Sequence, residues 1–278
     1  MTENKNLEEL KNASRSIRNN VIKMTYYAGG YGAHIGGSLS LVEILSVLYG
    51  NILNYQKSDL QNENRDRLIL SKGHGGLALY AAFREFGLIT QEELDSFRKS
   101  GSWLTAHPTM DITKGIEFSS GSLGQGLGQG IGTAVALKLK KNDSSKVYVI
   151  LGDGECDEGS VWEGVMSAPQ LKLNNLIVIV DKNNLQCDDK TDNILSLKNL
   201  SKAWEDLGWQ VSVVNGHSEE QLLSALQKRN DKPYVIVANT VKGKGVSFIE
   251  NNPKWHMGRL SKSQYIEAMK EQGVTVEL

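Results

Sequence analysis

The chain has 278 residues, 40% of them hydrophobic and 23% charged, with a formal net charge of −1. That balance argues against a basic nucleic-acid-binding surface and against an acidic solvating tail, and the length suffices for one sizeable α/β core. The first residues lack the charged-then-apolar pattern of a signal peptide, no apolar run approaches the roughly 20 residues that span a bilayer, and the two cysteines, Cys156 and Cys187, fit a reducing, cytoplasmic setting better than a disulfide scaffold.

In chain order, the first predicted element is a helix over 7–27, where apolar residues recur at steps of three and four. It opens an N-terminal helical subregion, 1–65. An apolar run at 67–70 then reads as a buried strand. Thr90 with Glu93 makes a capping box ahead of Leu94 and Phe97. Buried strands are predicted at 147–151 and 176–180, with a helix over 160–170 between them. Two more follow at 211–214 and 235–238. Ser218 caps a helix over 219–229 between these, and Ser261 starts the last helix. The strand runs lack apolar/polar alternation, as expected of a parallel sheet covered on both faces. Strands alternating with helices predict an α/β fold, a doubly wound and mainly parallel sheet flanked by helices. No repeat, low-complexity tract or linker divides the chain, so one domain is expected over 1–278.

Glycine is the compositional outlier, with 28 against 4 prolines, clustered at 29–37, 73–76, 121–132, 152–159 and 243–245. Such clusters mark tight turns or close backbone approach. In the 121–132 stretch the glycines miss the dinucleotide spacing, and close helix–helix contact is the expectation for 128–132.

Ligands of doubly wound sheets sit beyond the carboxyl ends of strands. Gly152-Asp153-Gly154 follows one predicted strand there, and Asn183-Asn184 follows the next. Asp153 offers a carboxylate, Asn183 an amide oxygen and Leu185 a backbone carbonyl, the hard oxygens that Mg²⁺ prefers. Gly152 and Gly154 let the backbone bend and are expected to turn N–H groups toward phosphate. The 160–170 helix is expected to aim its positive end at the same anion. Singly, Gly-Asp-Gly is a turn and Asn-Asn a loop. At two strand ends, with 28 residues between Gly154 and Asn183, they form a specific pattern.

That pattern resembles the signature of thiamine-diphosphate enzymes, Gly-Asp-Gly followed some 25–30 residues later by Asn-Asn. Within that group, Arg67-Leu-Ile-Leu-Ser-Lys-Gly-His-Gly75, Thr105-Ala-His-Pro108, Phe118-Ser-Ser-Gly-Ser-Leu-Gly-Gln-Gly126 and Trp255-His-Met-Gly258 resemble transketolase segments, in family order. Gly32-Ala-His-Ile-Gly-Gly-Ser-Leu-Ser40 resembles the family's first active-site stretch, with Ile35 where proline is usual. The resemblance covers nearly the whole chain and is to the diphosphate-binding (PP) domain.

The resemblance implies thiamine diphosphate with Mg²⁺, or Ca²⁺ or Mn²⁺ in its place. It sets Asp153, Asn183 and Leu185 on the metal. It sets His74, Gly121, Leu123, Gly152, Gly154 and His256 beside the cofactor, with His74 and His256 also near the reacting centre. His34, His107 and His256 would bind sugar hydroxyls. Glu158 would be buried at a subunit interface, in a chain of acids joining two active sites. Lys242-Gly-Lys-Gly245 could bring charge near phosphate but reads more simply as exposed lysine.

The pyrimidine-binding domain of a transketolase needs well over a hundred further residues. A separate subunit carrying the pyrimidine and C-terminal domains is therefore expected, in a two-fold α2β2 heterotetramer. The implied reaction transfers a two-carbon ketol unit from a ketose, as its phosphate, to an aldose. The alternatives are an α subunit of a 2-oxo-acid dehydrogenase and a non-catalytic cofactor-binding subunit. Neither nucleic acid nor membrane is an expected partner.

Overall fold

The computed structural model describes residues 5–277. Five strands form one all-parallel sheet: β1 (Arg67–Leu70), β2 (Val147–Gly152), β3 (Leu176–Lys182), β4 (Gln210–Asn215) and β5 (Tyr234–Asn239), in the order β1-β2-β3-β5-β4. Every predicted strand is present, extended by up to two residues at either end.

Alternation along each strand sorts side chains onto two faces. Tyr148, Ile150, Ile177, Ile179 and Ile236 join a core built with helices Leu7–Tyr27, Val42–Val47 and Gly76–Glu85. Val147, Val149, Val178, Val180 and Val235 join a second core with helices Gln125–Leu139, Gly159–Gln170 and Leu200–Asp206. Both sets are apolar because both faces are covered, which is why the sequence showed no period of two. This is the doubly wound α/β arrangement. The exception is β4. It lies at the sheet edge, and Val213 there is 55% exposed, so the expectation of a fully buried strand at 211–214 fails.

The helix starts follow their caps. Thr90 and Glu93 cap each other's backbone at Gln91–Asp95, and Ser261 does the same with Gln264. The helix capped by Ser218 ends at Leu226 rather than 229, where the sequence turns wholly polar ahead of Pro233. Among the described residues no helix is long and apolar enough to cross a membrane.

The glycine-rich helix Gln125–Leu139 corrects another expectation. A Cβ on Gly128 or Gly132 would meet nothing within 4 Å. The close approaches are at Gly126, where a Cβ would collide with Ser71, and at Gly130, where it would collide with Val149 of β2. The glycines serve helix-to-sheet contact here.

A buried polar chain fixes the loop after β5. Arg18 pairs with Glu43 and donates from Nε to the Lys244 carbonyl at 3.1 Å. Glu43 also contacts His217 Nδ1 at 2.8 Å, and His217 Nε2 accepts from the Val241 N–H at 2.8 Å. The fifth histidine thereby ties the first helix to the segment that carries Lys242.

Candidate active site

The carboxyl ends of β2 and β3 lie side by side, with Gly152 in register with Asp181. Beyond them opens a cavity of about 250 Å³. His34, His74, His107, His256, Gly121, Leu123, Gly152, Asp153, Gly154, Asn183 and Leu185 all line it. Glu158 does not; it is exposed and stands at the start of helix Gly159–Gln170. That helix contributes no residue to the cavity wall.

Two loops meet at Asp153. Its carboxylate accepts the Asn184 N–H at 2.6 Å and the Gly154 N–H at 3.0 Å. Asn184 takes a left-handed turn, φ +59°, which asparagine tolerates. Asn183 Oδ1 accepts the Leu185 N–H at 3.1 Å. Burial, then the charge of Asp181, pushes the Asp153 carboxyl up to about 6 against the pull of those two N–H groups.

Gly152 and Gly154 were expected to offer N–H groups to phosphate. Both are already committed: Gly152 donates to Glu155 at 3.0 Å and Gly154 to Asp153. Glu155, 2% exposed, also accepts from Gly124 N at 2.9 Å and from Ser71 Oγ. One buried carboxylate thus joins three of the site's turns. The positive charge comes instead from lysines. Lys242 is 2% exposed, against its reading as a surface residue. Its Nζ donates to the carbonyls of Leu185 at 3.2 Å and Gln186 at 2.8 Å, and contacts His256 Nδ1 at 3.1 Å. Burial first, then Lys72, lowers its pKa to about 8. Lys72 is equally buried and paired with Asp181.

The four histidine rings cluster, with centroids 5.1 Å apart for His34–His107, 5.4 Å for His34–His256 and 5.0 Å for His74–His256. Burial is the main cause that lowers all four. It brings His34 to about 4, helped by His107 and Arg98, and His256 to about 3, helped by Lys242. His74 is held well below its ordinary value by burial and Lys72, and His107 is lowered by burial and Arg98. Neutral imidazoles can each donate and accept, which suits hydroxyl groups. An ammonium at Lys242 can only donate to His256 Nδ1, a contact that suits the tautomer with its proton on Nε2.

The donor chemistry fits a metal-bound diphosphate. Among the described residues no group of three His, Cys, Asp or Glu side chains could hold a metal alone. One carboxylate, one amide oxygen and one carbonyl at Asp153, Asn183 and Leu185 suit Mg²⁺ only with anionic oxygens added. The raised Asp153 and lowered Lys242 are what a cation and an anion, side by side, would relieve.

Residues 11–276 match the family described as transketolase, thiamine diphosphate binding domain. The chain belongs to the transketolase family. It is 38% identical over 274 residues to an apulose-4-phosphate transketolase subunit of Phocaeicola vulgatus, covering 98% of this chain and 96% of that one. It is 36% identical over 265 residues to human transketolase, covering 95% of this chain but 42% of the human protein. A Campylobacter jejuni transketolase structure superposes with a TM-score of 0.83 at 30% identity, again over 97% of this chain and 43% of that one. This transketolase-family chain therefore spans about two fifths of the single-chain enzymes and nearly all of a relative named as one subunit. Lys242 and Glu155 are the site residues the motifs missed. The signal that could have found Lys242 was its place just beyond a strand end, as for 153 and 183.

Proposed function

We propose that this chain is the diphosphate-binding subunit of a split transketolase. Its partner would be a separate subunit with the pyrimidine and C-terminal domains, in an α2β2 assembly in the cytoplasm. The observation that carries this reading is the convergence of Asp153, Asn183, two buried lysines and four histidines with lowered pKa values on one cavity.

Asp153 Oδ, Asn183 Oδ1 and the Leu185 carbonyl would hold Mg²⁺, or Ca²⁺ or Mn²⁺. Lys242 would balance the diphosphate charge. Gly121 and Leu123 would flank the ring system beside the histidines. Thiamine diphosphate, when bound, supplies an electron sink for breaking a carbon–carbon bond next to a carbonyl. The chain's own residues supply position and proton traffic. His34, His107 and His256 would hydrogen-bond the hydroxyls of the ketose donor and orient its carbonyl. His74 and His256 are placed to move protons at the reacting oxygen. The net reaction would transfer a two-carbon ketol unit from a ketose phosphate to an aldose. Glu158, exposed on this chain, would face the second active site across the interface between subunits.

The test is reconstitution. The purified chain is assayed with thiamine diphosphate, Mg²⁺, a ketose phosphate and an aldose phosphate, with and without the partner. Turnover is expected only with both chains. Robust turnover by this chain alone contradicts the split site. His107→Ala should lower kcat/KM at least about 100-fold, the scale of a lost transition-state hydrogen-bonding group. Cofactor binding should be unchanged.

A further inference from the structure

Asp181 is fully buried at the end of β3, and its side chain gathers donors from four segments. Oδ2 accepts from Ser40 Oγ at 2.6 Å, from Lys72 Nζ and from Asn183 Nδ2 at 3.2 Å. Oδ1 accepts from Thr240 Oγ1. A buried carboxylate is costly unless paired and hydrogen-bonded, and this one is both. It never touches the cavity itself.

Its link to the site runs through Asn183. Asp181 lies near the end of β3 and Asn183 just past it, and the two side chains meet at 3.2 Å. An amide has a donor end and an acceptor end, and only the oxygen ligates a hard cation. Asp181, an ionised acceptor, takes only the NH2 end. The Leu185 N–H, a donor, takes only the oxygen at 3.1 Å. Both contacts demand the same amide orientation.

We infer that Asp181 is a positioning residue for the cation site: by capturing the Asn183 amide nitrogen it leaves oxygen as the end free to ligate, and Lys72 keeps it in that role. The inference rests on the proposed metal–diphosphate reading. It makes Asp181 and Asn183 a matched acceptor–donor pair, so turning Asn183 into a second acceptor breaks the pair, and giving residue 181 a donor as well restores it. In Asn183→Asp two carboxylates face each other, and the cation site weakens even though it gains charge. In the double variant Asp181→Asn, Asn183→Asp the new amide at 181 donates to the new carboxylate at 183, its oxygen keeps the Thr240 hydroxyl, and Lys72 loses this acceptor but keeps the Gly37 carbonyl.

The experiment measures Mn²⁺ affinity by electron paramagnetic resonance with saturating thiamine diphosphate, on wild type, both single variants and the double variant. The full chain is used, with its partner added. Circular dichroism and melting temperature without metal are read in parallel. N183D is expected to bind Mn²⁺ about 10-fold or more weakly, the usual cost of losing a group that orients a ligand; D181N, whose side-chain oxygen can still accept from the Asn183 amide, is the control that keeps the pair. The double variant should recover to within about fivefold of wild type, a strong non-additivity. N183D binding like wild type overturns the inference, as does a double variant no better than N183D. If the proteins carrying D181N fail to fold, the comparison of N183D with wild type still decides. Wild type that binds no Mn²⁺ overturns the cofactor reading and this inference with it; normal wild-type binding with indifferent variants overturns this inference alone.

Discussion

Lys242 shows what a side chain's surroundings do to its chemistry. Its ammonium sits between two carbonyls and a histidine nitrogen, almost without solvent. Lys242→Met keeps the stem and removes the charge. His256 loses a nearby positive field, so its pKa should rise from about 3 toward 6.5, which imidazole proton NMR can follow. Cofactor affinity should fall about 10-fold or more in titration, as one charge-assisted contact of about 1.5–3 kcal/mol is lost. The histidines also set an acid limit. Folded pKa values of about 4 for His34 and about 3 for His256 lie below the 6.5 of an unfolded histidine. Both therefore favour the fold above pH 6.5, and that contribution is lost as pH falls from there toward 4 and then 3. Melting temperature should decline through this window, and His34→Gln should shallow the slope. An unaltered slope would mean His34 is not held neutral. Asp153 sets an acid limit on ligand binding as well: with its carboxyl at about 6, protons compete with a metal below that pH, so apparent Mg²⁺ affinity should drop there. At this scale Asp153, Asn183 and the four histidines were legible because each sits in a glycine-, proline- or asparagine-marked turn. Lys242 and Glu155 were not, since a lysine at the head of a Lys-Gly-Lys-Gly turn and an acid in an acidic run both look solvated until neighbouring segments are placed.

Elements were the most readable level. A strand buried on both faces reads as an apolar run, and all five predicted runs became strands, the edge strand β4 included. Strand order was hidden, because it depends on contacts far apart in sequence. β5 lies beside β3, not at the edge, and this adjacency brings Lys242 to the cavity. Edge exposure of β4 was hidden for the same reason. The Gln125–Leu139 helix separates the two uses of glycine. Gly130→Ala would drive a Cβ into Val149, and overpacking should cost about 1–3 kcal/mol. Gly128→Ala meets nothing within 4 Å and should gain about 0.5–1 kcal/mol from lower unfolded-state freedom and better helix propensity. Urea denaturation of the chain alone distinguishes them, and equal effects would contradict the helix-to-sheet packing.

For the whole molecule, the sheet explains why the chemistry gathers at one end. Parallel strands present all their carboxyl ends on the same edge. β2, β3 and β5 deliver Asp153, Asn183 and Lys242 there, while the turn after β1 delivers His74 and the segment between helices Leu7–Tyr27 and Val42–Val47 delivers His34. A buried chain from Arg18 through Glu43 and His217 pins the β5 loop to the N-terminal helix. The N-terminal segment is thus part of the site's support. The most direct test of the central claim is a crystal structure of the chain with its partner, grown with thiamine diphosphate and Mn²⁺, with the metal located by anomalous scattering. The account expects a single peak roughly 2.2 Å from an Asp153 carboxylate oxygen, Asn183 Oδ1 and the Leu185 carbonyl, sharing diphosphate oxygens. A cofactor bound with its metal away from Asp153 and Asn183 would contradict it.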